Sequence, residues 1–262
     1  MKINGNGFLN AALPDLSETV PLADHAKFLI LKELVGFGES LKNDLKISGQ
    51  ETLEEKQKVI AVVVFVRLLE VVEAITILAA YGIREELLSL FRVFLDAYFI
   101  QANCCSDVHF ISNFLKTDEK SRLTLMNAAS KYDSGIFKSL NEYATDEIRD
   151  DLADKIKEEN IRRIQSFEYA KNVNCQEIYD SIYRLYSSSI HTTPRCLSNY
   201  VQASHDGKIS LIHHGPDSEI TDQIVYDLSL FFIKSMRGLC ELFELFELDR
   251  AAALRDFEKQ ME

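Results

Sequence analysis

Glycine and proline are scarce in this 262-residue chain, ten and four respectively. Sheets joined by tight turns use both freely, so their shortage, beside long 3.6-period stretches, predicts an all-α protein. The five cysteines, Cys104, Cys105, Cys175, Cys196 and Cys240, are odd in number and form no CxxC pair. That spacing argues against a disulfide framework or a zinc site and makes a reduced, cytoplasmic compartment the simplest expectation. The leading MKINGNGFLNAALPDLSET has no apolar core of a secretory signal. Also missing are the dinucleotide-binding glycine pattern, the P-loop, the nucleophile elbow, HExxH and any Glu-x-x-His pair. Their absence removes the usual ligands of a ferritin-like di-metal bundle, and no cofactor or metal is expected. The adjacent His213 and His214 make poor metal-ligand geometry. Cations are the minority, 29 against 41 acidic residues, for a net charge of −12. Non-specific attraction to phosphate backbones or anionic membranes is therefore disfavoured, and any nucleic-acid role must be local.

What the chain has in abundance is apolar helix. Thr52-Leu53-Glu54-Glu55 reads as a capping-box start, and residues 59–81 are apolar on nearly every face. Gly82 supplies the stop, and REELLSLFRVFLDAYFIQAN opens a second helix. The expected architecture is a helical bundle built around this long buried hairpin, roughly 52–105. Residues 59–81 are long enough to tempt a membrane assignment. However, Arg67, Glu70 and Glu73 would each cost about 2.5–3.5 kcal/mol near a bilayer centre, so a core helix is predicted and no membrane partner. Such charges need partners: Arg67 can reach Glu70 at i+3, and Arg92 can reach Asp96 at i+4.

In chain order, helices are expected near 22–46, 53–81, 83–104, 146–170, 175–190 and 218–248, within a single helical domain over 1–262. Residues 1–20 read as an irregular arm, and 249–262 as a polar helical tail. Gly36 and Gly38 either bend the first helix or admit a close neighbour. Short helical pieces follow Cys105, and 145–171 reads as a charged outer helix. Asn174 begins a cap signature, and Thr192 and Thr193 precede Pro194 as candidate caps. An Asp-Gly turn within VQASHDGKISLIHHG predicts a small β-hairpin-like insertion near 201–214.

The segment RLYSSSIH, 184–191, carries the candidate chemistry. Arg184 and His191 are seven steps apart, which on an α-helix returns them to nearly one face, about 10 Å apart along the axis. Asp180 and Ser188 fall on that face, Ser187 lies between, and Ile178, Ile182, Leu185 and Ser189 form the opposite one. A guanidinium that can hold a phosphate, beside hydroxyls and an imidazole, suffices for metal-independent RNA cleavage. A structural Asp180–Arg184 pair beside a helix-ending histidine is the other reading of the same residues.

An arginine, four to six residues, then a histidine resembles the signature of the HEPN superfamily of helical bundles. Many of those are endoribonucleases of toxin–antitoxin and antiviral systems. YRLYSSSIHTTP is also similar to a Tyr…Ser…His stretch in a bacterial helical family of unknown function. In that family a glycine-preceded helix with an Arg-x-x-x-Glu/Asp motif comes earlier, matched here by Gly82, Arg92 and Asp96. The resemblance spans about 55–245. It implies a homodimer whose Arg184 and His191 motifs meet in one cleft, with RNA as substrate. HEPN nucleases usually place a polar residue after the arginine, where this chain has Leu185. The alternative is a non-catalytic all-helical binding or regulatory module for a protein or nucleotide partner, which the acidic composition favours.

Overall fold

The computed structural model describes residues 25–81, 83–132, 135, 137–212, 219–245 and 248–261. The protein is all-α. Its helices are α1 (His25–Asp44), α2 (Leu53–Ala80), α3 (Arg84–Ser106), α4 (Phe110–Ala129), α5 (Lys138–Tyr143), α6 (Asp146–Glu158) and α7 (Ser166–Asn172). A composite helical run follows over 176–190, then α10 (Pro194–Ser198), α11 (Glu219–Leu242) and α12 (Leu248–Met261). The run is built from α8 (Gln176–Ile178), a π segment (Tyr179–Tyr183), α9 (Arg184–Ser187) and a 3₁₀ turn (Ser188–Ile190). Between α10 and α11, β1 (Val201–Ala203) pairs antiparallel with β2 (Ile209–Ile212). The arm 1–20, Gly82, and His213 and His214 lie outside the described residues.

The α2–α3 hairpin is the centre of the packing: α11 lies on both helices, and α1 packs on α2 and α11. Phe65, Phe91, Phe94, Phe99 and Phe232 are fully buried in one core shared by these four helices. Thr52 caps α2 by accepting the Glu55 amide at 3.2 Å. The expected reciprocal half of the box does not form: the Glu55 carboxylate accepts the Ser48 amide at 2.8 Å instead. Nor is α2 buried all round. Val63, Arg67 and Glu70, spaced i, i+4, i+7, form a solvent stripe, and the Arg67–Glu70 pair at 3.5 Å is exposed. Glu73, off that stripe, is buried. Polar bolts tie α3 to its neighbours: Gln57 donates to the Cys104 carbonyl at 2.7 Å, Asn103 to that of Tyr169 at 2.8 Å, and Ser235 to Gln101.

Three further expectations are corrected. The residues after Cys105 form one 20-residue helix, α4, rather than short pieces. The charged stretch 146–170 is two helices, because Asn160 takes a positive φ of 49° and Gln165 with Glu168 builds a new capping box. Asn174 does not cap the next helix either. At φ 56° it closes the turn after α7. Of the paired threonines it is Thr193 that caps α10, accepting the Cys196 amide at 3.2 Å.

Candidate functional site

Tyr179, Tyr183 and Tyr186 recur at i, i+4 and i+7, and they anchor the composite run against α3. Tyr183 is buried against Phe99, and Tyr186 tilts onto Phe91 with ring centroids 5.6 Å apart. The π segment between them inserts roughly one extra residue into the turn and shifts the phase of everything after it. That shift corrects the sequence reading of the faces: Leu185, placed there with the apolar side, is 46% exposed, while Tyr186 turns inward.

A polar network locks this junction. Arg92 pairs with Asp96 at 3.2 Å and donates to the Tyr183 hydroxyl at 2.6 Å. The Tyr183 hydroxyl in turn donates to Asp96 at 3.0 Å, and Ser166 on α7 donates to the same carboxylate at 2.5 Å. Burial is the first cause that raises the Tyr183 phenol above its ordinary range, so the hydroxyl stays a donor. Arg92 and Asp96 therefore belong to a half-buried structural knot joining α3, α7 and the π segment. The same rings continue outward. The Arg92 guanidinium lies 4.9 Å over the Tyr183 ring, Tyr183 stacks on Tyr179 at 4.6 Å, and Arg184 sits 5.6 Å over Tyr179. Asp180 holds Arg184 from the side at 3.2 Å. Sequence reading left out Ser166, Tyr179 and Tyr183; the i, i+4, i+7 tyrosines were the signal for the latter two.

Arg184 remains 65% exposed, and His191 is exposed one residue past the 3₁₀ turn. The six residues between them do not make seven α steps. Three residues at 3.0 per turn carry His191 about 60° further around the axis and about 1.5 Å further along it than an α-helix would. His191 itself is extended, at φ −112° and ψ 142°. Arg184 and His191 thus stand at the two ends of one anchored outer segment rather than on a single α face. The Ser187 hydroxyl is occupied, donating to the Tyr183 carbonyl at 2.7 Å. The side chain of Ser188 lies outside the described residues. Ser89 pins the turn to α3 by donating to the Ser189 carbonyl at 3.0 Å.

Beside His191 opens a cleft of about 780 Å³ between the start of α3 and the Ser189–Tyr200 segment. Glu85, nearly buried, accepts from Asn199 at 2.8 Å and from the Cys196 thiol at 3.4 Å. Burial first, then the Glu85 carboxylate, raises the Cys196 thiol. Among the described residues no group of three or more His, Cys, Asp or Glu is arranged to hold a metal ion. No helix among them is long and apolar enough to cross a membrane.

One family model matches residues 58–209, more than half of the chain, from α2 to the first residue of β2. The chain belongs to DUF5677, a family of unknown function. No curated protein and no solved structure gives a significant match. The DUF5677 stretch contains the α2–α3 hairpin, the Arg92–Asp96–Tyr183 knot, Arg184 and His191, and leaves out α1, α11 and α12. In this chain, then, the candidate residues and the hairpin beneath them lie within the one matched stretch.

Proposed function

We propose that this protein is a HEPN-like, metal-independent endoribonuclease, cytoplasmic and homodimeric, of the kind used in bacterial toxin or antiviral systems. The observation that carries this reading is an exposed guanidinium and an exposed imidazole at the two ends of one outer segment anchored on α3. Local charge supports it. Residues 184–212 hold three basic side chains (Arg184, Arg195, Lys208) and one acid (Asp206), 3 − 1 = +2, within a chain of −12. Along the sequence, then, this stretch is positive where the chain as a whole is acidic, which favours an RNA phosphate here over elsewhere.

In the reaction His191 removes the proton from the ribose 2′-hydroxyl, whose oxygen attacks the adjacent phosphorus. The bond to the 5′-oxygen breaks, an imidazolium returns a proton to that oxygen, and Arg184 stabilises the charge on the phosphorane. The products carry 2′,3′-cyclic phosphate and 5′-hydroxyl ends. Tyr179 and Asp180 hold the arginine in place, and the knot at Arg92 and Asp96 holds Tyr179 through Tyr183.

His191→Ala and Arg184→Ala should each abolish RNA cleavage and any growth arrest, with the melting temperature nearly unchanged because both side chains are exposed. The double variant should be no worse than either single one, and the parent's activity should survive a chelator. Unchanged cleavage in both single variants would overturn the assignment to Arg184 and His191, and a parent that cleaves no RNA would favour the binding-module reading.

A further inference from the structure

The β1–β2 ribbon has an irregular register with a direct consequence for its surface. Val201 pairs with Ile212 and Gln202 with Leu211, but Ala203 pairs with Ile209, so β2 carries one extra residue. Partners across a ladder share a face, and so do alternate residues along a strand. Val201, Ile209 and Ile212 therefore lie on one face, although Ile209 and Ile212 are three apart and would point oppositely on a regular strand. That face is open to solvent: Ile209 is 69% exposed, Ile212 73% and Val201 36%. Leu197 on α10, which packs on β1, and Ile190 at the 3₁₀ turn, which packs on α10, are exposed next to the ribbon, at 49% and 38%.

We propose that this bulge-aligned apolar face is the seam along which a second copy of the chain docks. Three observations select a second copy. Its five side chains expose roughly 400–500 Å² per copy, the scale of an exposed patch that marks an interface. Two such faces packed together remove about 1,000 Å² from water, near the minimum for a specific interface. A two-stranded ribbon is also marginal in water unless its face is packed. Finally, two copies at −12 each repel, and the segment 184–212, at +2, lacks the excess of acid that drives that repulsion. The seam runs past His191, so each copy contributes its imidazole segment to the same surface. In this it rests on the dimeric part of the function proposed above, but not on the chemistry.

The test is molar mass by light scattering and sedimentation, on the full chain without RNA. The parent should be a dimer over a wide concentration range. Ile209→Asp with Ile212→Asp should be a monomer with an unchanged far-ultraviolet spectrum and melting temperature. Val63→Asp, on the exposed stripe of α2 at 55%, should stay a dimer. Deleting Ser210 removes the extra residue, leaves Ile209 and Ile212 two apart on a regular strand and still on one face, and should keep the dimer. A monomeric parent, a dimeric Ile209→Asp/Ile212→Asp variant, or dissociation by Val63→Asp as well would each overturn the seam. A dimer that cleaves no RNA would overturn the reaction and leave the seam standing.

Discussion

Arg92 and Asp96 show how much depends on the company a charged side chain keeps. From sequence they read as a pair inside an apolar helix, where removing the arginine would strand a buried carboxylate at a cost of about 3–5 kcal/mol. In the structure both side chains keep more than a quarter of their surface in water, and Asp96 retains the Tyr183 and Ser166 hydroxyls as donors. Arg92→Ala should therefore cost about 1–2 kcal/mol in denaturant melts, the scale of a lost charge-assisted hydrogen bond. The larger consequence should fall on cleavage, through the loosened tyrosines under Arg184. Cysteine chemistry is settled at the same scale. Burial pushes the thiols of Cys104 and Cys105 up to about 12, well above the ~8.5 of an unfolded chain. A raised folded pKa gives stability that is complete below the unfolded value and is lost as pH rises through the folded one. Urea midpoints should thus decline from about pH 9 towards pH 12, with Tyr98, also raised by burial, adding to the slope. Cys104→Ala should flatten that decline, and alkylating reagents at pH 8 should leave Cys104 and Cys105 unmodified.

Elements differ in how plainly the sequence announces them. The α2–α3 hairpin is legible because its apolar runs are long and Thr52 marks the entry. The break at Asn160 is not, since a charged stripe continues across it and the left-handed turn rests on one residue's backbone. The exposure of Leu185 is hidden for a similar reason: the π segment alters the phase without altering the spacing of apolar residues. The candidate site was legible in Arg184 and His191 but not in the tyrosines beneath them, which contribute through ring contacts to a distant helix. Gly36 and Gly38 illustrate the limit well. Two residues apart on α1, they read alike, yet a methyl group at Gly38 would stand 2.9 Å from Phe232 and 3.0 Å from Leu69, while at Gly36 it would meet nothing. Gly38→Ala should destabilise by about 1–2 kcal/mol as the core is overpacked. Gly36→Ala should stabilise by about 0.5–1 kcal/mol through helix propensity. Thermal melts of the two variants would be displaced in opposite directions.

Across the whole molecule, α3 is the wall that nearly everything shares: α2, α4, α7, α9, the 3₁₀ turn and α11 all touch it. Its hydrogen bonds through Gln57, Asn103, Gln101 and Ser89 reach four different parts of the chain. Such a helix opens only when the protein unfolds globally, whereas a ribbon standing mainly on α10 opens alone. Native-state hydrogen exchange should therefore be graded. In the monomeric Ile209→Asp/Ile212→Asp variant, amides in the middle of α3 should exchange with the full free energy of unfolding, those of α9 at an intermediate level, and those of β1 and β2 fastest. The gradient runs through the segment that carries Arg184 and His191. Arg184 sits at its slow end, clamped to the last structure to melt, while His191 sits where it turns fast. In the proposed reaction, an imidazole just past the 3₁₀ turn would be free to shift between two oxygens while Arg184, held by Asp180 and Tyr179, keeps its grip on the phosphate.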